Sequence, residues 1–169
     1  MKQIKIGGQV PASEISLGCM RISGMEKKEA ETLLRTALEE GINFFDHADI
    51  YGGGHSEEVF AEALSGTPSL REKILIQSKC AIHDGIYDFS KEHILKSVEG
   101  SLNRLKTDHL DFLLLHRPDT LMEPEEVAEA FSQLKSSGKV LHFGVSNQKP
   151  LQMELLNRCL DEKLLVNQL

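Results

Sequence analysis

NFFDHADIYGGGHSEE (Asn43–Glu58) begins as a short apolar strand and ends inside a helix. The strand stops on a carboxylate, Asp46. A phenol, Tyr51, follows five residues later, then three glycines, and then a helical pattern in which Val59, Phe60, Ala63 and Leu64 share a face with Ser56 placed to cap it. A core strand that runs through a polar loop into an amphipathic helix is one half of a β-α-β unit, and the remainder of the chain repeats it.

Five more apolar runs have strand length: EISLGC (Glu14–Cys19), KILIQS (Lys73–Ser78), LDFLLL (Leu110–Leu115), VLHFGV (Val140–Val145) and KLLVNQL (Lys163–Leu169), beside INFF (Ile42–Phe45) in the opening stretch. Several are almost continuously apolar, as strands covered on both faces should be. Helical patterns lie between them. KKEAETLLRTALEEG closes on Gly41 as a left-handed stop, and SKEHILKSVEGSLNRL starts at Ser90. EPEEVAEAFSQLKSSG carries Pro124 in its first turn and ends at Gly138, and KPLQMELLNRCL begins at Pro150. The leading QIKIGGQVP reads as a hairpin turning at Gly7-Gly8. Strands alternating with helices imply parallel neighbours joined by right-handed crossovers, in a single domain covering residues 1–169. Periodicity alone leaves an open doubly wound sheet and a closed barrel both standing.

Strand ends separate the two. Asp46 ends the second apolar run, Lys79 the third, His116 the fourth, Ser146 and Asn147 the fifth, and Asn167 and Gln168 sit in the sixth. In a barrel the carboxyl ends of all strands form one rim, where the active site lies. In an open sheet only the strands flanking a crevice contribute. Polar side chains on five strand ends therefore favour a barrel. Taken singly each has an ordinary role: Asp46 as a turn cap, Tyr51 as a loop tyrosine, Lys79 as a solvated strand end, His116 as the start of a turn. Together they form a set with complementary charge. A phenol is a weak acid, with a pKa of about 10. An ammonium beside it favours the phenolate, and a carboxylate beside the ammonium holds that charge in place. Asp46, Lys79 and Tyr51 thus suit proton delivery to an oxygen gaining negative charge, with His116 positioned to orient that oxygen. Hydride would have to come from a cofactor. Ser146, Asn147 and Gln168 offer hydroxyl and amide groups that could grip a carboxamide, such as that of a nicotinamide.

Composition excludes other classes. The chain has 169 residues and a formal net charge of −7, which argues against nucleic-acid binding. Three scattered cysteines form no CxxC pair, so no zinc knuckle or disulfide framework is expected, and a cytoplasmic, reducing setting fits. The opening MKQIKIGGQVP lacks a long apolar run, so no signal peptide is expected, and no run of membrane-spanning length is seen among these residues. A metal-dependent hydrolase drawing on Asp46, His47, Asp49, His55, His83 and His116 lacks H-x-H and H-E-x-x-H spacings, and no metal is expected. The glycines of YGGGHSEE do not make the G-x-G-x-x-G of a Rossmann dehydrogenase.

GINFFDHADIYGGGHSEE, IQSKC, LDFLLLHRPD, GKVLHFGVSN and VNQ together resemble the aldo-keto reductases, in order and along essentially the whole chain. The resemblance implies a (β/α)8 barrel that reduces small carbonyl compounds with NADPH. It implies a tetrad of Asp46, Tyr51, Lys79 and His116 with Tyr51 as general acid. It places nicotinamide contacts on Ser146, Asn147 and Gln168, and puts Met20 and Arg21 beside the nicotinamide. Two positions depart from the family's habit, His47 after the aspartate and Ala61 in the next helix. So does the length, since such barrels need about 250 residues. The chain is therefore expected to be the first six strands of a barrel cut short, with strand edges open to self-association. The family's final third carries the anchorage of the adenosine end, so weak NADPH binding and low or no activity are expected of these 169 residues. A non-catalytic, cofactor-sensing or scaffold role on the same fold is the alternative.

Overall fold

The computed structural model describes residues 1–66 and 68–169. An antiparallel hairpin, β1 (Gln3–Ile6) and β2 (Val10–Ser13), comes first. Its turn uses Gly7 and Gly8 at φ of 57° and 79°, a left-handed pair that glycine adopts without strain. The repeat then runs β3 (Leu17–Gly18), α1 (Lys27–Glu39), β4 (Phe44–Asp46), α2 (His55–Leu64) and β5 (Leu75–Cys80). A second small hairpin, β6 (Ile82–His83) and β7 (Ile86–Tyr87), intervenes before α3 (Lys91–Leu105). β8 (Leu110–Leu115), α4 (Pro124–Ser136), β9 (Val140–Ser146), α5 (Pro150–Cys159) and β10 (Val166–Gln168) complete the order.

Six strands make one wholly parallel sheet in the order β10-β9-β8-β5-β4-β3. Its curvature can be read from a single hydrogen bond. Gln168 on β10 and Asp46 on β4 are four ladder steps apart, which in a flat sheet is roughly 19 Å at ~4.8 Å per step. Yet Gln168 Nε2 donates to Asp46 Oδ2 at 3.1 Å. The sheet is therefore rolled into an incomplete (β/α)8-type barrel, and the open-sheet alternative is removed.

Strand alternation divides the core in two. Phe45, Ile76, Leu113, Leu115, Phe143 and Val145 point outward and pack under the helices, against Leu34, Phe60, Ile94, Phe131 and Leu156. Phe44, Phe112 and Leu114 point inward and fill the lumen with Ala12, and Ile6 and Val10 of the first hairpin pack beneath them. Phe44 and Phe112 meet with ring centroids 5.5 Å apart, and Phe112 meets His142 at 5.3 Å. The hairpin thus plugs the amino-terminal mouth and leaves the carboxyl-terminal mouth free.

Local signals hold with three corrections. Gly41 ends α1 as expected, at φ 83°, with Ile42 N donating to Ala37 O. Ser90 caps α3, accepting from His93 N at 3.3 Å. Ser56, expected to cap α2, does not. The helix begins two residues earlier than that cap implies, after Gly54 at φ 95°, and Ser56 is buried with its hydroxyl donating to Met20 O at 3.3 Å. The first parallel strand is shorter than Glu14–Cys19, because only Leu17 and Gly18 find partners on β4. The β6-β7 hairpin was not anticipated, although Asp84-Gly85, both at positive φ, is a standard tight-turn pair.

Candidate active site at the carboxyl-terminal mouth

Inward-facing positions continue past the apolar lumen and turn polar. Asp46 stands two residues after Phe44, Gln77 and Lys79 two and four after Leu75, His116 two after Leu114, and Gln168 two after Val166. A period of two therefore carries each onto the same inner face. Tyr51 arrives from the loop after β4. There Gly52 and Gly53 hold φ of 59° and 66°, and a Cβ on Gly52 would lie 2.6 Å from Ser23 Cβ. The loop can take this path only with glycine at that contact.

These side chains meet. Lys79 Nζ donates to Asp46 Oδ1 at 2.6 Å, to His47 O at 2.8 Å and to Tyr51 Oη at 3.2 Å. The ammonium thus has three oxygen partners, as a buried charge needs. Asp46 is held in turn by Gln77 Nε2 at 2.5 Å and Gln168 Nε2 at 3.1 Å. The His116 ring stands edge-on to Tyr51, centroids 5.8 Å apart, and its buried Nδ1 has no hydrogen-bond partner. Burial, with Lys79 and Arg117 adding to it, pushes the His116 imidazole down to about 4, so it is neutral at pH 7 and can both donate and accept.

Tyr51, Lys79, His116, Arg117, Ser146, Asn147, Gln168 and Leu169 line one pocket of about 200 Å³. Ser146 Oγ donates to Gln168 O at 3.1 Å and accepts from Asn147 Nδ2 at 2.8 Å. Asn147 is left-handed at φ 56°, with its N–H on Gln168 O, which turns the chain back over the pocket. These hydroxyl and amide groups sit beside the Tyr51 phenol. Of the residues expected here, Met20 and Arg21 are not among the pocket's lining. Both are exposed, although Cys19 N on Asp46 O at 2.8 Å keeps their loop beside the rim.

Two supports were not singled out from sequence. Gln77 could have been found, since it lies two residues before Lys79 and so must share its face. Behind β5, the fully buried Glu57 accepts from Ser78 Oγ at 2.7 Å and from Arg104 Nε at 2.8 Å. This joins α2 and α3 to the strand that carries Lys79. No spacing in the sequence announces that triad.

The parallel β/α barrel, with its Lys-Asp-Tyr-His cluster at the carboxyl-terminal mouth, can be set beside known proteins. The Aldo/keto reductase family profile matches residues 14–169, and the chain belongs to that family. It is 45% identical to an uncharacterized oxidoreductase, YcsN, of Bacillus subtilis, over 100% of this chain and 60% of the relative. It is 37% identical to a 6-dehydroglucose reductase of Agrobacterium fabrum, over 100% of this chain and 61% of the relative. Among solved structures, aldo-keto reductase AKR11C1 from Bacillus halodurans, in its holo form, superposes with a TM-score of 0.83 at 31% identity, covering 95% of this chain and 55% of that one. The chain thus spans about 60% of the length of these curated relatives.

Proposed function

We propose that the chain carries the proton-delivering and nicotinamide-facing part of a carbonyl reductase that uses NADPH, with Tyr51 as general acid. The observation that carries this reading is the Lys79 ammonium, placed between Asp46 Oδ1 at 2.6 Å and the Tyr51 phenol at 3.2 Å beside the pocket. Tyr51 donates its proton to the oxygen of an aldehyde or ketone. The ammonium stabilises the phenolate left behind, and Asp46 keeps the ammonium fixed. Neutral His116 hydrogen-bonds the same oxygen and orients the carbonyl. Ser146, Asn147 and Gln168 would hold the carboxamide of the cofactor, with Met20 and Arg21 flanking it. When bound, the nicotinamide supplies the hydride. A polyhydroxylated carbonyl is a reasonable first substrate to try, since one relative is named a 6-dehydroglucose reductase.

Turnover of the chain is tested by loss of NADPH absorbance on adding simple and sugar-derived aldehydes. Tyr51→Phe should lower kcat by about a hundredfold or more, the scale of a lost general acid, and leave NADPH affinity within about twofold. Full activity in Tyr51→Phe would remove the acid assignment. NADPH binding with no turnover in either form would favour the second reading, a cofactor-sensing or scaffold protein. Among the described residues no helix is long and apolar enough to cross a membrane. Free thiols at Cys19, Cys80 and Cys159 suit a reducing cytoplasm.

A further inference from the structure

A second, larger cleft lies apart from the catalytic pocket. It has a volume of about 980 Å³, and its walls come from the loop after β4, the β6-β7 hairpin and the length of α3 from Glu92 to Arg104. His83, Asp88 and His93 gather on its side, half-buried, with one ligand-type atom from each within 4.8 Å of the others. We propose that these three residues bind a divalent first-row transition ion of the zinc type, through two imidazoles and one carboxylate, with the remaining coordination open to the cleft.

The His83–Asp88 spacing is longer than that of an ordinary ion pair. A charge-assisted hydrogen bond between imidazolium and carboxylate is usually about 2.7–2.9 Å long. His83 Nε2 and Asp88 Oδ2 stand 3.3 Å apart. Two ligands on one tetrahedral ion, with bonds of about 2.0–2.1 Å, are separated by roughly 3.3–3.4 Å. The His83 and His93 rings lie 4.5 Å apart, which two charged imidazoliums would resist and a shared cation would favour.

The surroundings also resemble a metal site. A ligating histidine ordinarily uses its second nitrogen on a carboxylate or another fixed group, which orients the ring. His83 Nδ1 lies 3.4 Å from Asp84 Oδ2, and His93 Nε2 lies 3.2 Å from Ser97 Oγ. Asp88 is fixed as well: Ser90 N donates to its Oδ1 at 2.9 Å, which leaves Oδ2 for the ion. The backbone is set by the Asp84-Gly85 turn on one side and the Ser90 cap on the other. A bound ion would clip the β6-β7 hairpin to α3. Asp49, Ile50 and Gly53, which flank Tyr51, also line the cleft, so the clip would stiffen the wall behind the tyrosine loop.

The test is titration of the metal-free 169-residue chain with Co(II), followed by its visible d–d absorption, and with Zn(II), followed by calorimetry. One saturable site per chain is expected, with the absorption of a four- or five-coordinate ion and a rise in Tm on adding Zn(II). His83→Gln and His93→Gln should each weaken binding by about tenfold or more while leaving the metal-free Tm and circular dichroism unchanged. His55→Gln and His109→Gln serve as controls, because each of these histidines pairs with only one carboxylate, and they should bind as the parent does. Cys159→Ser excludes capture by the partly exposed thiol. Absence of a saturable site, or binding that survives the double change His83→Gln with His93→Gln, would overturn the proposal and reduce the cluster to a hydrogen-bonded clasp.

Discussion

Lys79 shows how much one buried charge can demand. It is 3% exposed and rests on Asp46, which is 8% exposed, so each ion is the other's main compensation. Removing one partner of such a pair leaves the other uncompensated, at a cost of about 3–5 kcal/mol. Lys79→Met should therefore destabilise the fold by roughly that amount in urea denaturation, in addition to abolishing turnover. Lys79→Met combined with Asp46→Asn should recover about half of the loss, because the orphaned carboxylate is gone. Equal losses in the single and double variants would mean that the pair does not set the local energetics. The meeting of Asp46, Lys79 and His116 was legible in sequence because each ends an apolar run, and strand parity forces such residues to a common rim. Ser56 was misread as a cap because capping preference says nothing of a glycine two residues earlier whose positive φ starts the helix sooner. Glu57 was illegible: its partners Ser78 and Arg104 come from other elements.

Among the elements, α3 carries the clearest local signals at both ends. Ser90 accepts from His93 N, so Ser90→Ala should cost about 1 kcal/mol. The other end closes on Lys106 at φ 53°, a left-handed position without a glycine. Lys106→Gly should stabilise by about 0.5–1 kcal/mol, since it relieves the Cβ strain while leaving the Thr107 N to Leu102 O bond in place. Paired thermal melts check the opposite signs, and two changes of the same sign would refute the assignment of both caps. The order of the six parallel strands and their helices was readable from such signals, as were Gly41 and Ser90 at helix ends. Strand ends were less so. Asp46 pairs with Gln77 although it is polar, and Ile15 is exposed although it is apolar, because ladder pairing and not hydropathy decides where a strand stops. The curl of the sheet was reached only indirectly, from the polar strand ends.

At the scale of the molecule, the terminal strands β3 and β10 each pair on one side only within the described sheet. An unpaired strand edge is a template for another chain, so these 169 residues should associate. Sedimentation at rising concentration should show a growing mass, and a monomer throughout would exclude it. Acid stability gives a more discriminating test of the interior. His47 is fully buried, packed edge-on to Phe60 at 4.5 Å, with neither ring nitrogen hydrogen-bonded, and burial pushes its imidazole down to about 3. His116 is pushed down to about 4. Asp49 moves the other way, up to about 7, through burial and the nearby Glu57. Near pH 5 the unfolded chain thus holds protons on His47 and His116 that the folded chain lacks, and the folded chain keeps one on Asp49 that the unfolded chain lacks. The balance is one proton in favour of the unfolded state. Stability therefore falls as pH drops below about 6.5, approaching a slope of 1.4 kcal/mol per pH unit near pH 5. The lowered His93 and His142 act in the same direction. His47→Leu removes one of the two unfolded-state protons and should flatten the profile between pH 5 and 6.5, while Asp49→Asn removes the opposing one and should steepen it. Urea midpoints measured across that range decide the matter: parallel profiles for the parent and both variants would mean that His47 and Asp49 titrate alike in the folded and unfolded chain.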